Sequence, residues 1–369
     1  MAVTQRFFLA HEGPGGVAAW LSAMAETMRV MTPVREGISV VFRDHSPEAP
    51  LDFGGLDTAG PKAAVFPQTE YLLRYRAERT APVGGHRGVK LEEVRPEGDV
   101  LLFGASPCGA RGLTLMDQVL LRDGVEDPCY RIWREHALVA AIVCQAPYSS
   151  CFCNWVGGAP DDARGSDLLL AEIEDGFVVE AVTDKGLAAV RERLAVATEE
   201  QARAAAERAE AARAALPAPP DLDDCPARLN AAFDDMDFWN EAAAGCIHCG
   251  ACTYACPTCT CFNITDEASG LAGERIRTWD SCMFPNYTQE AGGHNPRPTR
   301  AHRLRNRVLH KFAFHPARFG EFSCTGCGRC IRLCPMGLDI RTIIRTIEPR
   351  TATQTTESRT GRAKEAKHV

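Results

Sequence analysis

One cysteine spacing occurs twice in this chain. Cys246, Cys249, Cys252 and Cys256-Pro257 stand at C-x2-C-x2-C-x3-C-P, and Cys324, Cys327, Cys330 and Cys334-Pro335 repeat the same intervals. Such runs must wrap around an inorganic group, which leaves little freedom to the backbone between them. This is the ligand run of two-cluster ferredoxins, in which the first three thiolates of a run hold one [4Fe–4S] cluster and the fourth ligates the other. The spacing therefore assigns Cys246, Cys249, Cys252 and Cys334 to one cluster, and Cys324, Cys327, Cys330 and Cys256 to a second. Gly250, Gly326 and Gly328 are expected at positive φ, where amide N–H groups can approach cluster sulfurs closely. Zinc also takes C-x2-C pairs, but four ligands around one ion give no reason for two tandem quartets ending in Cys-Pro. The pattern implies electron transfer.

A length of 369 residues suggests two domains, or one domain with a ferredoxin module. A hydrophobic fraction of 45% provides an ordinary core. The start of the chain has only Arg6 and the short run Phe7 to Ala10 before His11-Glu12, which does not read as a signal peptide. No stretch approaches the roughly 18–20 apolar residues of a membrane span. Seventeen cysteines gathered in metal-ligand runs, without an export signal, point to a reducing cytoplasm. A net charge of −7 argues against nucleic acid as the main partner.

The expected fold class is an α/β N-terminal domain followed by an α-helical, ferredoxin-like domain binding two [4Fe–4S] clusters. Residues 1–190 form the partner-docking α/β domain. In it Ala18 to Met31 reads as a helix, and Ile38–Phe42, Val100–Ala105, Leu138–Cys144, Asp167–Ile173 and Phe177–Val182 as strands. Ser106-Pro107 carries the start signal of a helix running towards Leu121. Gly186 to Ala214 is rich in Ala, Glu and Arg and reads as a solvated helix, broken by the proline-rich stretch Leu216 to Asp224. Residues 191–226 are thus a helical connector and linker. Residues 227–347 are the dicluster domain, interrupted by a basic segment over 262–322, and residues 348–369 read as a disordered tail. The two runs lie roughly 67 residues apart, far beyond the median connection of about 4–6, so the insertion has a fold or a task of its own.

Six more cysteines stand in short, motif-like settings: Cys108, Cys151, Cys153, Cys259, Cys261 and Cys282. They are candidates for a third iron–sulfur cluster drawing four of the six, or for partly reactive thiols beside a cofactor. Cys129, Cys144 and Cys225 read as small buried hydrophobes. Cys108 falls at a predicted helix N-terminus, which favours thiolate and is expected to lower its pKa, with Arg111 one turn on. Gly292 to Gly320 has no Asp or Glu but holds Arg297, Arg300, Arg303, Arg305, Arg307, Lys311 and Arg318. His294, His302, His310 and His315 lie there too. Leu304, Val308 and Phe312 repeat at helical spacing, giving an amphipathic helix with a basic face. That face can offset cluster charge, steer a partner, bind nucleic acid or simply be solvated. There is no G-x-G-x-x-G at a strand-to-helix turn and no Walker A loop.

Taken together, Phe103-Gly-Ala-Ser-Pro-Cys108-Gly-Ala-Arg-Gly-Leu, Cys151-Phe-Cys153 with Gly157-Gly158, and Cys256-Pro-Thr-Cys259-Thr-Cys261-Phe form a specific combination. Trp279-Asp-Ser-Cys282, Ala291-Gly-Gly-His-Asn-Pro-Arg-Pro298 and His310-Lys-Phe extend it. From about residue 65 to 347 the chain resembles the iron–sulfur beta subunit of cytoplasmic sulfhydrogenases and its iron–sulfur counterpart in anaerobic sulfite reductase. The resemblance implies a soluble electron-transfer subunit rather than the catalytic one. It would stand between a flavin subunit handling NAD(P)H and a subunit reducing protons, sulfur or sulfite; similar subunits accompany heterodisulfide-reductase-like complexes. Two other functions fit the residues: an autonomous sulfur-compound reductase using Cys108 or a third cluster, and a nucleic-acid-binding iron–sulfur protein using the basic helix.

Overall fold

The computed structural model describes residues 5–53, 58, 60–78 and 88–347; the tail expected over 348–369 lies outside them. The chain forms two compact units. The first comprises the residues up to Pro219, Ala251–Ser281 and Thr325–Leu333, and the second comprises Pro220–Gly250, Cys282–Cys324 and the residues from Cys334 onward. The first break falls inside the proline-rich stretch. The later ones differ from a simple N-terminal and C-terminal division, because two pieces of the cysteine-rich region return to the first unit.

The first unit is built on two sheets. Its strands are β1 (Arg6–Ala10), β2 (Arg29–Glu36), β3 (Ser39–Asp44), β4 (Thr69–Ala77), β5 (Val89–Glu93), β6 (Val100–Ala105) and β7 (Ala137–Ile142). They continue with β8 (Leu168–Ile173), β9 (Gly176–Ala181), β10 (Ala195–Val196), β11 (Phe262–Ser269) and β12 (Ala272–Trp279). The larger sheet has the order β10-β1-β9-β8-β7-β6-β2-β3, and the smaller one β11-β12-β4-β5. At the centre of the larger sheet, β2, β6, β7 and β8 run parallel. Parallel strands are covered on both faces, which is why Val100–Ala105 and Ala137–Ile142 read as apolar runs without alternation. Leu101, Phe103, Leu138 and Ala140 face one core with Trp20, Leu21 and Phe177. Val100, Leu102, Val139 and Ala141 face the other with Leu113, Met116 and Tyr130. The α/β expectation for this region holds.

Several boundaries move. The first helix is Val17–Ala25, and Arg29 to Met31 belong to β2 instead. The stretch Gly186 to Ala214 is two helices, Asp184–Val190 and Glu199–Ala214, separated by β10. The second carries a full capping box, Thr198 with Gln201. It is not a free connector: Ala205 and Ala212 are buried, and Ala205 packs with Val143, Ala171 and Val178 of the sheet.

Inside the insertion, β11 and β12 form a hairpin, and β12 pairs antiparallel with β4. Trp279 at the end of β12 stacks on Phe66 at 6.3 Å and donates Nε1–H to the Phe66 carbonyl at 3.0 Å. Lys62 Nζ sits 3.7 Å above the Trp279 ring, a contact worth up to about 2 kcal/mol where desolvated. Arg277 of β12 is buried between Glu70 of β4 and Asp127, and Trp133 Nε1 donates to the other Glu70 oxygen at 2.9 Å. A buried guanidinium without these acids would cost several kcal/mol, so the hairpin is specified by charge as well as by packing.

The second unit is helical. Its helices are Cys225–Ala231, Met236–Ala242, Arg300–Leu309, His315–Phe319 and Ile340–Thr346, with a π-helical stretch at His310–Phe314. Trp239 is fully buried and donates its indole N–H to the Ala232 carbonyl at 2.8 Å. Val308, Phe312 and Ile344 are buried with it, so the predicted apolar stripe of the insertion helix does face the interior.

Candidate metal centres

The glycines of the two runs adopt the expected backbone: φ is +73° at Gly250, +65° at Gly326 and +70° at Gly328. At Gly326 and Gly328 space demands glycine as well. A Cβ at Gly326 would run into the backbone of Phe152 and Cys153, and one at Gly328 into the carbonyl of Ser150. The Gly326 carbonyl accepts from Phe152 N at 2.8 Å, so the second run lies directly against the loop carrying Cys151 and Cys153.

In the first unit, Cys256 is buried with its sulfur 3.3 Å from Thr258 Oγ1. The short helix Ala251–Tyr254, with Cys252, packs on Arg329–Arg332, with Cys330. In the second unit, Cys334 closes a turn through Gly337, at φ +64°, and its sulfur accepts from Leu338 N at 3.3 Å. Amide-to-sulfur bonds of this kind stabilise an anionic ligand sphere. His248, between Cys246 and Cys249, takes φ +61°, the one positive value outside glycine among the described residues. No three His, Cys, Asp or Glu among the described residues converge closely enough to hold a single metal ion.

The basic helix is not the solvated face that its charge suggests. Arg303, Arg307, Lys311 and His315, at i, i+4, i+8 and i+12, are all buried. Lys311 Nζ donates to the Ser323 carbonyl at 3.0 Å, beside Cys324. Arg303 donates to the carbonyls of Arg297 and Pro298, and its Nη2 lies 3.2 Å from His248 Nδ1. Burial pulls the Arg303 guanidinium below its ordinary range, while the nearby Cys246 thiolate pulls it back up. Burial, with the cations of Arg303 and Arg300, holds His248 low, so a neutral ring receives the guanidinium.

Of the six further cysteines, the fold brings together three. Cys108, Cys151 and Cys153 line one cavity of about 140 Å³, with Cys144 and the second-run Cys327. Cys144, two residues past the end of β7, is on this wall, a place its sequence context does not reveal. Cys259, Cys261 and Cys282 do not line it. The carbonyl of Cys259 accepts from Lys62 Nζ and that of Cys261 from Asp280 N, while Cys282 is buried in the second unit.

Ser106 caps the helix Pro107–Leu120 with proline in its first turn, as predicted. The thiol of Cys108 is nevertheless not acidic: burial pushes it up to about 11 and outweighs the pull of Arg329. Burial also pushes Cys153 up to about 12 and Cys144 well above the usual thiol range. Arg111 turns to the Val156 carbonyl, 2.7 Å away, rather than to Cys108. The cation at the cavity is Arg329, fully buried, with Nη2 3.1 Å from Ser106 Oγ and Nη1 3.9 Å from Cys108 Sγ. It lies in sequence between Cys327 and Cys330; its charge is visible there, but its partner across the fold is not.

Residues 245–338 match the 4Fe-4S dicluster domain family. The chain is 32% identical over 327 residues to sulfhydrogenase 2 subunit beta of Pyrococcus furiosus, covering 87% of this chain and 92% of that protein. No solved structure matches it.

Proposed function

We propose, from the premise that this chain belongs to the sulfhydrogenase beta-subunit family, that it is the electron-relay subunit of a multi-subunit oxidoreductase. Two [4Fe–4S] clusters, on Cys246, Cys249, Cys252 and Cys334 and on Cys324, Cys327, Cys330 and Cys256, would supply one-electron chemistry when bound. The observation carrying the reading is how the quartets divide. Cys256 of the first run shares the first unit with Cys327 and Cys330, and Cys334 of the second shares the other unit with Cys246 and Cys249, while Cys252 falls in the first unit and Cys324 in the second. Three of the four thiols of each crossed quartet thus share a unit, which supports the pairing of two-cluster ferredoxins.

The protein's own residues shape the sites. Gly326 and Gly328 allow close backbone approach, Leu338 N donates to sulfur, and the buried row Arg303, Arg307 and Lys311 offsets negative charge. Burial of this row inside the helical unit disfavours a phosphate-binding face and hence the nucleic-acid reading. No described helix is long and apolar enough to cross a membrane.

The partners are a flavin subunit handling NAD(P)H and a subunit that reduces protons, sulfur or sulfite, with the clusters between them. Stopped-flow absorbance tests this. NAD(P)H is expected to bleach the cluster absorbance only when a flavoprotein partner is added, and the purified chain alone turns over neither sulfite nor polysulfide. Turnover of either compound by the chain alone would replace the relay with an autonomous reductase.

A further inference from the structure

We infer that the first unit holds a third four-iron cluster, ligated by Cys108, Cys144, Cys151 and Cys153. Its physiological use rests on the relay reading above, whereas its ligands rest on geometry alone. Ligand crevices of open α/β sheets form at the carboxyl ends of parallel strands. Here Cys108 follows the end of β6 and Cys144 follows the end of β7, two adjacent parallel strands. Cys151 and Cys153 come from the loop beyond β7, which the second cysteine run holds in place through Phe152 N and the Gly326 carbonyl. Cys151 Sγ also points to the Cys327 carbonyl at 3.9 Å.

Four thiols from three places in the chain thus line one cavity. Lone buried cysteines pack as small hydrophobes, but native cores leave few voids larger than a water molecule. A cavity of about 140 Å³ bordered by four thiols is not ordinary packing. It is also smaller than the roughly 300–1,000 Å³ typical of pockets for organic ligands. An inorganic cluster meets the size and the donor type.

The local charge fits as well. Four thiolates around a cluster leave a net negative group, and a fully buried guanidinium stands at its edge: Arg329, held by Ser106 Oγ and reaching Cys108 Sγ. Cys327 lies on the wall of the same cavity, so the site would adjoin a ligand of the second-run cluster and extend the relay into the α/β unit.

Iron and acid-labile sulfide per anaerobically purified full-length chain, with Mössbauer spectra, test the inference. About 12 Fe per chain is expected, falling to about 8 in Cys144→Ala with the spectra of the two ferredoxin-type clusters intact. Cys259→Ala and Cys282→Ala are expected to keep about 12, on the same four-iron count. A wild-type chain with about 8 Fe, all in two reducible clusters, overturns the third site and leaves the relay standing. Cys144→Ala retaining full iron, or zinc in place of the third cluster, overturns it too. The wild-type count needs no variant, so misfolding of Cys144→Ala does not shield the inference. A chain without reducible iron would instead remove the relay reading itself.

Discussion

Cys256→Ser is expected to strip or destabilise the cluster of the second run, although Cys256 stands in the first. Cys334→Ser is expected to do the same to the cluster of the first run. Each substitution removes one of four thiolates, and the loss expected is up to about 4 Fe per chain. Ligation contributes directly to folding in small metal-binding modules, so both variants should also melt earlier than the wild type. Cys256→Ser should loosen the contact between the second run and the loop at Ser150 to Cys153, where Gly326 and Gly328 abut backbone. Cys334→Ser should free the turn that Leu338 N closes on the sulfur. EPR of the reduced variants separates the two clusters. If Cys256→Ser spared the second-run cluster and removed that of Cys246, Cys249 and Cys252, the crossed assignment would be wrong.

The second large effect belongs to Arg303. It is buried, its hydrogen bonds go to carbonyls and to the His248 ring, and no carboxylate among the described residues pairs with it. An uncompensated buried guanidinium is expensive, and the nearby Cys246 thiolate favours its charge, so in the relay reading its counter-charge is the cluster beginning at Cys246. Arg303→Gln is therefore expected to lower the reduction potential of that cluster, because the added electron loses a neighbouring positive charge. At a separation of roughly 8 Å and an effective dielectric of about 20, the interaction is about 2 kcal/mol. That is roughly 90 mV for a one-electron couple. Arg303→Lys keeps the charge and should stay near the wild-type value, which separates an electrostatic effect from a packing one. A redox titration monitored by EPR reads both. Equal potentials in wild type and Arg303→Gln would mean that the buried row serves folding alone.

What can be read from the sequence is local. The helix start at Ser106-Pro107, the strand Val100–Ala105 and the positive φ of Gly250, Gly326 and Gly328 follow from short-range chemistry, and all are present. The β11–β12 hairpin cannot be read that way. Every residue of β11 is exposed, and β5 at the opposite edge is exposed throughout, so neither strand shows an apolar alternation. Their placement depends on Trp279 reaching Phe66 and Arg277 reaching Glu70, more than 200 residues away in sequence.

The same limit applies to the sites. Cys144 reads as a core residue because its surroundings are apolar. Only the pairing of β6 with β7 reveals that it ends beside Cys108. Composition gives the insertion helix a basic face, but burial turns Arg303, Arg307 and Lys311 inward. A charged row reads as solvated unless its counter-charge is known. In the relay reading that counter-charge is a cluster whose ligands lie elsewhere in the chain.

Electron transfer on crossed cysteine quartets is the central claim. Its most direct test is a reductive titration of the anaerobic, full-length chain followed by EPR. Two one-electron reductions are expected at the ferredoxin-type quartets, with signals broadened by mutual magnetic coupling of neighbouring clusters. A chain that binds zinc at these cysteines, or whose cysteine quartets take up no electrons in the titration, would contradict it.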